Sequence, residues 1–152
     1  MTIPCWVFDL DGTLADPAHR LHYIKNEPKD WPAFFAAVID DAPIPHMVAL
    51  VQALMRDPRG PQVAFVSGRS DECRSATVKW LMLYVSAGIL GRGLYMRRAG
   101  DHRDDAIVKM ELLAELRRDG FEPLLVFDDR KRVVDAWRDA GVPCAQVAPG
   151  DF

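Results

Sequence analysis

The sequence predicts an α/β fold: a doubly wound parallel sheet with helices on both faces and a small lid inserted after the first strand. Three features of the chain predict it. From residue 46 onward, short apolar runs rich in β-branched or aromatic residues alternate with stretches whose apolar residues recur at helical spacing. Breakers such as Pro58-Arg59-Gly60-Pro61 separate them. The residues able to do chemistry, Asp9-Leu10-Asp11, Ser67-Gly68 and Asp128-Asp129, each follow an apolar run. They therefore fall at the carboxyl ends of strands, where open α/β sheets bind ligands.

Length and composition set bounds on this. A chain of 152 residues fits one domain over residues 1–152 and can bury a core. At 49% hydrophobic and 27% charged it has an ordinary globular composition. A net charge of -3 excludes a protein that holds nucleic acid by bulk positive charge, so a polyanionic substrate has to be met by a local arginine cluster. Cys5, Cys73 and Cys144 are odd in number and far apart, which suggests core thiols in a reducing compartment rather than disulfides or a zinc site. No secretory leader precedes the first strand, and the longest apolar run, near Leu81 to Leu90, is too short to span a bilayer. A cytoplasmic protein that avoids membranes is expected.

The first strand, Cys5 to Phe8, runs into Asp9-Leu10-Asp11-Gly12-Thr13. Strand side chains alternate faces, so both acids emerge on one side as the strand ends. Gly12 lets the backbone turn sharply. Two acids this close call for a cation or a shared proton, which suits a magnesium site with an aspartate nucleophile; a plain acidic turn fits the same residues. Residues 14–45 are broken by Pro17, Pro28, Pro32, Pro43 and Pro45, and form a minimal lid rather than a second domain. Within it Trp31 to Ile39 has helical spacing, with Asp30 as N-cap. His19, Arg20 and His22 lie here, and Arg20 is within a short reach of the acids.

A helix from His46 to Arg56 leads to a second strand, Val63 to Val66, which ends in Ser67-Gly68-Arg69. That hydroxyl, with the adjacent N–H groups, can cradle a phosphate beside the helix expected from Asp71 to Val85, or simply cap a turn. A short strand at Leu94 to Met96 is followed by Arg97 and Arg98. Residues 100–109, dense in both charge signs, open a helix to about Arg118, with Asp104 and Asp105 in its first turn. Lys109 can fold back to the sheet edge from there, although such a charge run is also an ordinary solvated face. Leu124 to Phe127 is the clearest strand and ends in Asp128-Asp129-Arg130. A helix from Lys131 to Ala140, stopped by Gly141, and a last strand at Ala145 to Val147 complete the chain.

Taken in order, Asp-x-Asp-Gly-Thr, Ser-Gly-Arg, a lysine and Asp-Asp resemble the motifs of the haloacid dehalogenase (HAD) superfamily of phosphatases, with its Rossmann-like core. Ser67-Gly68-Arg69, Met96-Arg97, Gly100-Asp101-x-Arg103-x-Asp105 with Val108-Lys109, Asp128-Asp129-Arg130, Val133-Val134, Trp137-Arg138 and Gly150-Asp151-Phe152 resemble one branch, the 3′-phosphatase domains of phage polynucleotide kinase–phosphatases. The resemblance implies Asp9 as nucleophile, Asp11 as general acid and base, and Ser67 and Lys109 on the phosphoryl oxygens. It implies Mg2+ held by Asp9, Asp11 through its backbone carbonyl, and an acid of the Asp128-Asp129 pair, Asp129 favoured over Asp128. To act as an acid, Asp11 needs its protonated form favoured. Thr13, Arg20, Gly68, Arg69, Arg97, Arg103 and Asp104 are the candidate substrate-binding residues, although Arg20, Arg69 and Asp104 also fit structural ion pairs.

The implied substrate is a 3′-phosphorylated nucleic-acid end or a nucleotide, with no stable nucleic-acid complex expected. A small-metabolite phosphatase on the same machinery is the second reading. A receiver-like phosphate-binding module is the third, and the motif order disfavours it. The chain contains no Gly-x-x-x-x-Gly-Lys-Ser/Thr loop, so the kinase half of the bifunctional enzymes is expected to be missing.

Overall fold

The computed structural model describes residues 1–150; Asp151 and Phe152 of the terminal motif lie outside the described residues. The chain opens with β1 (Ile3–Phe8) and then the segment expected to form the lid, made of β2 (Ala15–Asp16), α1 (His22–Lys25), α2 (Trp31–Ala36) and β3 (Ala42–Pro43). It continues through α3 (Pro45–Met55), β4 (Gln62–Ser70), α4 (Arg74–Tyr84), β5 (Leu94–Arg97), α5 (Asp105–Arg118), β6 (Phe121–Asp128), α6 (Lys131–Asp139) and β7 (Cys144–Gln146).

The predicted sheet is present. Five parallel strands run in the order β5-β4-β1-β6-β7, which makes β1 central, with β4 and β6 as its neighbours. The motifs carried by β1, β4 and β6 therefore meet at one edge. Alternation along β1 divides the core: Phe8 packs with Val51, Trp80 and Leu81 on one face, and Val7 packs with Val108, Leu116 and Trp137 on the other. All three cysteines are free and buried, as expected of core thiols. Among the described residues no helix is long and apolar enough to cross a membrane.

Several boundaries differ from the local pattern. β6 starts at Phe121, ahead of Pro123, because the β1–β6 register shifts between Cys5 and Trp6 and a bulge accommodates the missing N–H. β4 runs on to Ser70, with an irregular register against β5 after Ser67. The expected helix at Asp71 begins as a 3-10 turn, Asp71–Cys73, because the Ser70 side chain caps it by accepting from the Glu72 N–H. In the lid, Asp30 caps α2 as predicted by accepting from the Ala33 N–H, but a 3-10 turn, Ala37–Asp40, replaces the last part of that helix. The lid is pinned at its base by the antiparallel pair β2–β3.

Candidate active site

Asp9 is the first residue past β1. Its backbone N–H donates to Phe127 O at 3.0 Å, which ties the ends of β1 and β6 together. Its carboxylate is held from both sides: Thr13 Oγ1 donates to Oδ2 at 3.2 Å and Lys109 Nζ donates to Oδ1 at 2.7 Å. Lys109 reaches there from the second turn of α5. It also donates to Val66 O at 2.8 Å and to Asp128 Oδ2 at 3.1 Å. Burial opposes its charge, but Asp128 and Asp9 outweigh that and hold the ammonium protonated well above the usual lysine range.

Around this pair sit more carboxylates than one lysine balances. Asp9, Asp128 and Asp129 each offer an oxygen, and these three atoms lie within 4.8 Å of one another. Burial pushes the Asp9 carboxyl up, against Lys109, with Asp128 and Asp129 adding to the rise. Burial, with the neighbouring Asp128, raises Asp129 to about 6. Three buried oxygen donors with unmet negative charge match what a hard divalent cation requires. The members of the acidic pair differ in role. Asp128 already accepts from Lys109, from Trp137 Nε1 at 3.3 Å and from the Arg130 N–H at 3.3 Å. Asp129 lies against Gly12, whose φ is 84°; a Cβ there would run into its carboxylate, so the glycine is needed for space as well as for the turn.

The side chain of Asp11 points away from the acids, which leaves only its backbone carbonyl as the metal ligand expected of it. Its carboxylate stands outside the three-acid cluster and faces two guanidiniums. Arg20 Nη2 donates to Oδ1 at 2.8 Å, and Arg69 donates to the same oxygen from Nε at 2.9 Å and from Nη2 at 2.6 Å. Burial would raise this carboxyl, but Arg69 and Arg20 outweigh it and hold Asp11 below its ordinary value. The condition that the site favour protonated Asp11 is therefore not met in this arrangement; the charged form is the favoured one.

Both arginines are positioned by Asp41, a residue that pattern reading did not single out. Its fully buried carboxylate accepts from Arg20 Nε at 2.7 Å, Arg20 Nη2 at 2.9 Å, Arg69 Nη2 at 2.7 Å and His19 Nε2 at 2.8 Å. Trp80 Nε1 donates to its backbone carbonyl at 2.8 Å. The available signal was indirect: a buried arginine needs a carboxylate, and Asp40-Asp41 is the acidic pair next to the lid's return strand.

Asp9, Asp11, Arg20, Ser67, Gly68, Arg69, Asp128 and Asp129 share one cleft of about 1430 Å³. Arg97 and Arg103 also line it, but Arg97 is spent on Gly68 O and Asp105, and Arg103 on Asp101 and Glu111. Ser67 Oγ accepts from the Arg69 N–H at 3.1 Å. Two of the candidate substrate-binding residues face elsewhere. Thr13 is fully buried and acts on Asp9 rather than on the cleft. Asp104 does not line the cleft; it caps α5 by accepting from the Ala106 N–H and pairs with Arg132 at 2.7 Å. The next residue, Asp105, faces inward against Gly68 and pairs with Arg97 at 3.1 Å and Arg130 at 3.7 Å.

Comparison with known proteins follows the same lines. The sequence model of a family described as the polynucleotide kinase PNKP phosphatase domain matches residues 3–152. A protein of Autographa californica nuclear polyhedrosis virus, named as a bifunctional polynucleotide kinase/RNA ligase, is 31% identical over 135 residues, 89% of this chain. A chain in the solved Pnkp1/Rnl/Hen1 RNA repair complex superposes with a TM-score of 0.78 at 29% identity over 99% of this chain. This chain spans 18% of the viral protein and 44% of the repair-complex chain. The class C acid phosphatase of Bacillus anthracis shares the fold, with a TM-score of 0.68 at 18% identity, covering 99% of this chain and 67% of that one. Since one of these neighbours sits in an RNA repair assembly, the expectation of no stable nucleic-acid complex gains no support.

Proposed function

Given that the chain belongs to the polynucleotide kinase phosphatase-domain family of HAD-type phosphatases, we propose that it is a magnesium-dependent phosphomonoesterase acting on 3′-phosphorylated ends of polynucleotides. The observation that carries this is the Asp9 carboxylate, pinned between Thr13 and Lys109 with Asp128 and Asp129 alongside. Asp9, Asp129 and the backbone carbonyl near Asp11 would hold the ion, with Asp128 turned mainly to Lys109. When bound, Mg2+ supplies positive charge against the phosphoryl oxygens.

The chain's own residues do the rest. An oxygen of Asp9 attacks phosphorus, the bond to the sugar oxygen breaks, and Asp11 gives that oxygen its proton. Water then attacks the aspartyl-phosphate, Asp11 takes the proton back, and inorganic phosphate leaves with Asp9 restored. All three guanidinium contacts to Asp11 fall on Oδ1, and none reaches Oδ2. Oδ2 is therefore the oxygen that carries the proton. Drawing Arg20 and Arg69 toward an incoming phosphate favours protonation there, because guanidinium prefers the more anionic partner. Ser67 meets the transferring phosphoryl group from the cleft, and Lys109, buried behind the cleft lining, holds the Asp9 carboxylate that makes the attack.

At about 1430 Å³ the cleft exceeds the ~300–1,000 Å³ usual for small-ligand pockets, which leaves room for a polynucleotide end. The test is a panel of oligonucleotides with 3′- or 5′-phosphate, plus nucleotides and sugar phosphates, each with Mg2+ and with chelator. Release from 3′ ends that stops with chelator is expected. A preference for 5′-phosphates or sugar phosphates overturns the substrate, and full turnover with chelator overturns the metal.

A further inference from the structure

One wall of the cleft has no part in the chemistry above. Leu21, Ile24, Trp31, Phe34 and Phe35 of the lid line it, all exposed or only half-buried. Single exposed apolar residues are ordinary, but a contiguous set facing a charged site marks a binding surface. The rings form a built platform. Trp31 is 39% exposed and is set by Phe34, edge-on at 5.7 Å and 89°, and by Phe35 at 5.8 Å and 32°. The platform is contiguous with the reacting centre: the Arg20 guanidinium lies 4.3 Å over the Phe34 ring while its Nη2 bonds Asp11. Lys29 Nζ stands 6.0 Å from the Trp31 ring centroid, at the outer limit of a cation–π contact, so a flat ligand can displace this exposed lysine.

The rest of the cleft lining carries arginines, among them Arg98, whose side chain is 79% exposed while it pairs with Glu115 at 3.2 Å. A ligand complementary to both parts has a π-face joined to an anionic ester. From this we infer that Trp31 stacks on the base of the 3′-terminal nucleotide, making the lid a nucleobase subsite that selects base-bearing ends. The inference builds on the proposed 3′-phosphatase reading. Stacking tolerates every base, because each has a π-face, so the subsite selects nucleotides without selecting sequence.

The test compares kcat/KM for a 3′-phosphorylated oligonucleotide with that for the same oligonucleotide carrying an abasic last position. The wild-type protein is expected to favour the base-bearing end roughly tenfold, the typical worth of one stacked base, with the difference residing in KM. W31A should bring the ratio close to one, and W31F, which keeps a ring, should retain most of it. A wild-type ratio near one overturns the subsite without any variant, and so does a W31A protein that keeps the preference. If neither oligonucleotide is processed while a generic aryl phosphate is, the reading beneath the inference fails and the inference goes with it.

Discussion

The two sides of the cleft are built on different physical principles. On the sheet side, Asp9, Ser67, Lys109, Asp128 and Asp129 are all buried, and ion pairs, Thr13 and the ends of parallel strands fix them. On the lid side, helices of four and six residues carry half-exposed rings, anchored by the buried Arg20–Asp41 pair and the short β2–β3 pairing. The difference teaches where each property resides. On the proposed function, the groups whose geometry has to be exact for bond making sit on elements that form irrespective of substrate. Groups that meet a variable ligand sit on a segment that can change without disturbing the sheet.

The largest expected effect lies on the sheet side. D9N keeps the shape and a carbonyl acceptor but has no nucleophilic carboxylate, so turnover of any phosphomonoester should fall at least about a thousandfold. Full-rate hydrolysis of an aryl phosphate by D9N would remove the nucleophile assignment. K109A should combine loss of activity with loss of stability. It leaves Asp9 and Asp128 buried beside each other without their cation, at a cost of about 3–5 kcal/mol. Urea unfolding measures this, and a stability change well under that range would mean the cluster is more hydrated than its burial indicates.

The intermediate case is Asp41, the one fully buried carboxylate on the lid side. D41N removes the charge between Arg20 and Arg69 while keeping the volume. Stability should fall by about 2–3 kcal/mol, because two guanidiniums lose a charged acceptor. Asp41 touches no reacting atom and acts by positioning the arginines on Asp11, so kcat should fall more than KM rises, by roughly ten- to a hundredfold. D41N kinetics indistinguishable from wild type would show that the arginines hold their places on Asp11 alone. The lid would then be decoupled from the chemistry.

Legibility in the sequence follows the same division. The strands were legible because burial on both faces demands continuous apolar runs; acids marked the ends of β1 and β6, but Ser67-Gly68 did not mark the end of β4, which runs on to Ser70. Pro123 hid the start of β6, since a bulge is a tertiary accommodation that a single segment does not display. The lid was legible only in part. Asp30 announced a helix start, but Pro28, Pro32 and Pro43 erase any longer period, and the pairing of Arg20 with Asp41 spans 21 residues that meet only in the folded chain. The HAD-type resemblance singled out Asp11, which lines the cleft. Its contacts with Arg20 and Arg69 were not readable, because Arg69 lies 58 residues away.

The smallest effect separates two adjacent residues at the start of α5, where either aspartate satisfies the sequence rule for an N-terminal acid. The backbone decides between them. Asp104 sits at φ -54° and ψ 142°, outside the helix, and its side chain accepts from the Ala106 N–H, so it is the cap. Removing such a cap costs about 1 kcal/mol, and its exposed pair with Arg132 adds little. D104A should therefore lower the denaturation midpoint slightly and leave turnover near the wild-type value. Asp105 is the first helical residue, only 17% exposed at its side chain, and it links Arg97 and Arg130 against Gly68 near the end of β4. D105A frees Arg97 from its carboxylate and loosens the irregular end of β4 that presents Ser67, so it should lose more turnover than D104A although it deletes no cap. Were D104A the more damaged of the two, the helix start would belong to the substrate-facing wall, and the boundary drawn here between the two sides of the cleft would have to move.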